Sequence, residues 1–452
     1  MEDSKHFSSD AVSDDGNPIA ISDGDERSMS KQSIDTENVQ KLEDEEEEIE
    51  DTPKKRITRF QAIMSCLNSL LGAGILSIPN SFTYCGIVPS LIILTLVAVL
   101  SHVSTVLTVK LQRRVNSDGL DDLAFKTLGR AGQLAISILS MLFLISAMVA
   151  YLIISSDNVI SWLSLANIKI DVLWKRVILV LINSLILPIA LTIPRTGATI
   201  IGKLSVVSFV LILFFCVAMV VKAIQKLPNE GVADISIAKM DFGVFSSISI
   251  YGLAFALPVV ILPLINPYNT DIHKREVVSL WSIILCYVVV IIPGILGYLM
   301  FGSKTESIIL SSFPDNDVLI IIVRVGFYIV VILSYPSIGL SLMSSWSQII
   351  FKTVKQAELP ALKRALVLVL TNIIPLAFAV FLPNARPALS IGGALGGCLV
   401  DFFFPPFIWI RISKKKFLSV QNILCAIFAL FGVVSAGIST YQAIEDAIKS
   451  FS

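Results

Sequence analysis

Along most of its length the chain alternates long apolar runs with short polar connectors, and the runs exceed what a strand or an ordinary buried helix requires. A helix of about 18 apolar residues or more crosses a ~30 Å hydrocarbon layer. Such spans are expected over residues 60–80, 87–110, 134–156, 174–193, 201–223, 243–265, 278–300, 318–343, 364–382, 387–410 and 419–442. The pattern predicts an all-α polytopic membrane protein with eleven transmembrane helices over residues 53–452. Residues 1–52 break the pattern: they are rich in Ser, Asp and Glu and end in EDEEEEIED from Glu43 to Asp51. Such a segment buries too little apolar surface to offset its ordering entropy, so a disordered acidic tail is expected there. It lacks the charged-then-apolar start of a cleaved signal peptide, which places it in the cytosol.

The first span is itself interrupted. NSLLGAGILSIPN, from Asn68 to Asn80, carries Gly72, Gly74 and Pro79, residues that weaken a helix. In hydrocarbon each backbone group so released costs several kcal/mol unless something polar meets it. The sixth span, ISIYGLAFALPVVILPLINP from Ile248 to Pro267, is broken in the same way by Gly252, Pro258 and Pro263. The sixth comes five spans after the first, so the two enter the membrane from opposite sides. Paired interruptions in oppositely oriented halves predict a 5+5 inverted repeat with substrate held near the midplane, and span eleven as an addition. Spans seven, eight and ten also hold proline or adjacent glycine, so ordinary kinks are the competing reading.

Composition agrees with the pattern: 54% hydrophobic and 15% charged residues, with a mean hydropathy of +0.79, exclude an ordinary soluble domain. The net charge of zero conceals an alternation. Roughly 21 Lys and Arg fall on one set of loops and about 9 on the other, which puts the N-terminus in the cytosol and the C-terminus outside or in a lumen. The six cysteines have no CxxC spacing and His6, His102 and His273 have no ligand-spaced partners, so neither a disulfide framework nor a metal site is expected. No nucleotide, hydrolase or metalloprotease motif is present, and the expectation is a non-enzyme without cofactor and without nucleic acid.

Ionisable groups within spans suggest function, and Asp157, Arg324 and Asp401 are the candidates. Interfacial anchoring competes for the first two. Asn68 and Ser334 offer oxygens of the kind a hard monovalent cation takes, although such residues more often bond neighbouring helices. The amides of Gly72, Ala73, Gly74 and Ile75, at a helix start, suit a carboxylate. In SIGGALGGCL the pairs Gly392 with Gly396 and Gly393 with Gly397 read as close helix packing.

NSLLGAGILSIP at Asn68, YLIISSDNV at Tyr151, GYLMFGSKTESIIL at Gly297, SYP at Ser334, SIGGALGG and FFFPPFIW at Phe402 together resemble the amino acid/auxin permease family, over about residues 58 to 443. That resemblance implies a LeuT-like fold, an amino acid held between unwound parts of spans one and six, and a proton or sodium ion as driving partner. Carried over by position, Gly72 to Ile75 receive the substrate carboxylate, Asn68 and Ser334 belong to a cation site, and Asp157 closes the third-span pattern. Where many neutral amino acid transporters have Cys-His-Pro-Glu, this chain has ALPVV at Ala256 to Val260, leaving Tyr251, Ala254 and Phe255 as the pocket candidates of span six. The expected activity is secondary active amino acid transport by alternating access in a vacuolar, lysosomal or plasma membrane. An amino acid sensor of the same fold is the alternative, and a channel is disfavoured because no polar stripe lines several spans.

Overall fold

The computed structural model describes residues 57–168, 173–186, 198–239, 242–352, 359–382, 384–413, 416 and 418–449. The chain divides into Met1–Lys54 and Lys55–Ser452, and the expected acidic tail lies outside the described residues. The helices are α1 (Arg59–Leu70), α2 (Ile78–Cys85), α3 (Ile87–Val115), α4 (Leu120–Leu165), α5 (Leu173–Ser184), α6 (Ala198–Glu230), α7 (Val244–Ala254), α8 (Leu257–Ile265), α9 (Ile272–Phe301), α10 (Val318–Phe351), α11 (Ala361–Phe381), α12 (Arg386–Gly392), α13 (Phe404–Ile412) and α14 (Val420–Lys449). Among the described residues nine spans are long and apolar enough to cross a membrane, and the bent pair of α1 and α2 makes ten. The count of eleven is not reached because the fourth expected span, 174–193, starts on α5 and runs into residues outside the described ones.

Both interruptions are real breaks. Thr58 and Gln61 form a reciprocal capping box that starts α1, and the Leu71 N–H closes its last turn on Leu67 at 2.8 Å. A short 3₁₀ turn, Ala73–Ser77, follows before α2, and the two halves of span one bend by 48°. Span six stops at Ala254, passes through Phe255 and Ala256, and restarts as α8 with Pro258 in its first turn. Proline is tolerated there because its missing N–H would lack an intrahelical acceptor anyway.

Burial sorts the spans into layers. In their most apolar windows spans six, ten and three are 78%, 72% and 67% buried, whereas spans nine and eleven are 22% and 33%. Spans six, ten and three are therefore the interior, and nine and eleven turn most of their surface to lipid. Span ten has three pieces: α12, a π-helical stretch from Gly393 to Asp401, and α13. Its glycines divide their work by helix face. A Cβ on Gly393 or Gly397 would strike the backbone of Ser249 or Gly252 in α7, and one on Gly392 or Gly396 would strike Ser146 or Phe143 in α4.

Arg324 is also a packing element. On α10 it is 3% exposed and donates to the Asp315 carboxylate at 2.7 Å, to the Leu310 carbonyl at 2.9 Å and to the Ser161 hydroxyl. Ser161 and Ser164, near the end of α4, donate to the same carboxylate at 2.6 and 2.9 Å. One guanidinium thus latches span three, span eight and the segment before α10, its buried charge matched by a bonded carboxylate. Burial of Asp315 works to raise its pKa, but the hydrogen bonds from Ser161, Arg324 and Ser164 and the Arg324 charge outweigh it and hold the carboxyl below the ordinary value.

Two outcomes follow. Gly393→Ala and Gly397→Ala lower the thermal midpoint of the detergent-solubilised protein, by about 1–3 kcal/mol of stability each. Gly437→Ala, where a Cβ meets open space, changes it by under about 1 kcal/mol. A carboxyl with a depressed folded pKa contributes stability above its unfolded value and loses it only as pH falls through the folded value. Asp315→Asn therefore lowers the midpoint by the same amount at about pH 5 and about pH 7, measured by thermal unfolding at each pH.

Candidate functional site

The two breaks face each other. A Cβ built on Gly74 would lie 3.6 Å from the Ala254 Cα, so the loosened turn of span one runs directly against the end of α7. On the other side, a Cβ on Gly72 would collide with the Tyr151 hydroxyl of span three. Ile75 is fully buried, and Ala73 opens the 3₁₀ turn. The turn's cap residue, Gly72, supplies no side-chain hydrogen bond, and the first amides of such a turn have no intrahelical acceptor. Backbone donors therefore gather where span one meets spans three and six.

In span six, Ala254 faces Gly74, while its carbonyl accepts a long contact of 3.6 Å from the Cys286 thiol. The Phe255 carbonyl accepts from the Ser101 hydroxyl of α3 at 2.5 Å, and its side chain is fully buried. Tyr251 is fully buried too, with its hydroxyl towards Ser81 and Ser90 but in hydrogen-bond geometry with neither. Like Ala254 and Phe255, it is enclosed by protein.

Of the expected cation ligands, Asn68 is half-buried with a buried, unpartnered Oδ1, and Ser334 is buried with an unpartnered Oγ. Orphaned buried oxygens are uncommon and are what a bound cation satisfies. Asp157 stands elsewhere. It lines an open cleft of about 240 Å³ with Asn158, Ser161, Ser311, Asp315 and Arg324, at the latch described above. Asp157 and Arg324 therefore share a cleft, in which the guanidinium donates to Asp315.

Three features escape the sequence reading. Tyr151 and Ser101 were not singled out; Ser101 lies within an ordinary apolar run, where nothing in the local pattern separates a site residue from packing. Asp315 sits in a connector, and only the fold brings it to Arg324. A signal for Tyr151 was available in its position six residues before Asp157 on the same span, within the third-span motif.

The family model described as transmembrane amino acid transporter protein matches residues 55–445. The chain is 28% identical over 386 residues to the amino acid transporter AVT6E of Arabidopsis thaliana, covering 79% of this chain and 76% of the relative. It is 24% identical to the putative sodium-coupled neutral amino acid transporter 10 of Xenopus laevis, matching 84% of this chain but spanning only 36% of that longer relative. Among solved structures, the Eremococcus coleocola manganese transporter superposes with a TM-score of 0.53 at 15% identity, covering 85% of this chain and 87% of its own. MhsT in complex with L-phenylalanine superposes with a TM-score of 0.52 at 14% identity, covering 86% and 99%. These likenesses show the LeuT-like fold alone, and the difference in cargo between the two titles illustrates why a fold does not name a substrate. With residues 55–445 matched, the chain belongs to the transmembrane amino acid transporter family.

Proposed function

We propose that the chain carries amino acids across a membrane by ion-coupled secondary active transport, with alternating access around the place where the two broken spans meet. The observation that carries this reading is the juxtaposition of Gly74 with Ala254, bounded by Tyr151. Amides from Gly72 to Ile75 take the substrate carboxylate, and Tyr251, Ala254 and Phe255 wall the pocket. The absence of Cβ atoms at Gly72 and Gly74 matters because it lets Tyr151 and Ala254 close directly on that backbone. Family membership supports the amino acid class.

The coupling cation is a proton or sodium. The orphaned oxygens of Asn68 and Ser334 support sodium ligation, and Asp157 is retained as an ion-sensing group in its cleft. The membrane is vacuolar, lysosomal or plasma; the Asp315 carboxyl, held below its ordinary value, stays charged at the surface of any of them.

Uptake of radiolabelled amino acids into proteoliposomes, with sodium and proton gradients imposed separately, tests the reading. Gradient-driven accumulation is expected. Binding without uptake would transfer the pocket to an amino acid sensor. Gly72→Ala reduces uptake about tenfold or more, and Gly72→Ala with Tyr151→Phe recovers part of the loss by removing the hydroxyl the new methyl meets. Unaltered uptake by Gly72→Ala would remove that backbone from the site. Asn68→Ala and Ser334→Ala each raise the sodium requirement for half-maximal uptake about tenfold, and an unchanged sodium dependence would exclude them from coupling.

A further inference from the structure

A carboxylate that the transport reading leaves unused lies where span ten meets the second break. Asp401 ends the π-helical stretch, is fully buried, and neither carboxyl oxygen has a hydrogen-bond partner. Its backbone carbonyl accepts from the Ser104 hydroxyl of α3, and three residues earlier Ser101 of the same helix holds the Phe255 carbonyl at 2.5 Å. Residues three apart share a helix face, so one edge of α3 ties the Asp401 backbone to the break of span six.

What surrounds the carboxyl is neutral. From α8 the Val259 backbone amide faces it, in the first turn, where amides lack intrahelical acceptors. The titratable group beside it is Cys398, a buried thiol on its own element. The other packed helices bring Ser249 and Gly252 from α7, Phe143 from α4 and Phe428 from α14 against the π stretch and its end. Among the described residues no ion pair reaches Asp401. An ionised carboxylate so placed is strongly disfavoured, whereas the neutral acid forgoes only ordinary hydrogen bonds.

We propose that Asp401 is the proton-binding site of the transport cycle, carrying a proton in this conformation and releasing it when span ten and the second half of span six separate. The proposal rests on the transport reading. On release the carboxyl O–H bond breaks, the proton passes to a water molecule admitted by the separation, and the remaining carboxylate is met by water and the Val259 amide. A charged Asp401 then opposes reclosure until a proton returns, which links proton binding to the break that walls the substrate.

The test uses the full chain in proteoliposomes with pooled radiolabelled proteinogenic amino acids, together with infrared spectra of the purified protein. In the wild type an imposed proton gradient increases uptake, and Asp401→Asn loses that increase. At neutral pH exposed carboxyls are ionised, so the wild type also shows a protonated carboxylic acid stretch that Asp401→Asn lacks. Retention of the full gradient response in Asp401→Asn overturns the proposal while transport stands, as does wild-type uptake indifferent to the proton gradient. If the wild type shows no uptake, the transport reading fails by itself, and the infrared band decides whether Asp401 holds a proton. Its absence from the wild type overturns the proposal even where Asp401→Asn fails to insert.

Discussion

In hydrocarbon every backbone N–H and C=O must find a partner within the protein, and this chain interrupts two spans in spite of that requirement. Everything around the breaks answers it. Ser101 donates to the Phe255 carbonyl, the Cys286 thiol reaches towards the Ala254 carbonyl, and the Leu257 amide folds back on Phe255 at 2.7 Å. Span one closes its own first half on Leu67 and restarts through a 3₁₀ turn rather than leaving a longer unwound stretch. The amides that begin that turn have no intrahelical acceptor, and they lie between spans one, three and six.

Close approach of backbones makes that place possible. Without a solvent-driven hydrophobic effect between membrane helices, packing depends on small residues that let helices touch. Gly393 and Gly397 bring span ten against α7, while Gly392 and Gly396, a face away, bring it against α4. Span ten thereby becomes the strut between the first half of broken span six and span three, the two helices that flank the turn of span one. Its π-helical stretch ends at the buried Asp401, so the least regular part of the strut is also where a polar group is least satisfied.

Much of the architecture was legible before any coordinates. The spans follow from length and hydropathy, and the breaks follow from Gly72, Gly74 and Pro79 in one run and Gly252 and Pro258 in another. The glycine pairs of span ten were readable as packing, because four-residue spacing puts small residues on one face. What could not be read was which face met which helix. Arg324 shows the same limit: as an intramembrane cation it read as a functional group or an interfacial anchor, while its partners, the Asp315 carboxylate and Leu310 carbonyl before α10 and Ser161 on span three, are set only by the fold.

The sequence by itself determined the class of protein, the positions of the spans and the points where two of them fail, because length, hydropathy and helix weakening are local properties of the chain. Only the tertiary structure decided which residues meet at those points: that Gly74 faces Ala254, that Tyr151 stands over Gly72, that Tyr251 is enclosed with its hydroxyl unbonded, and that Asp401 is enclosed without a counter-ion among the described residues. Those outcomes depend on how helices far apart in sequence rotate and approach, and no local pattern encodes a rotation about a helix axis that packing alone sets.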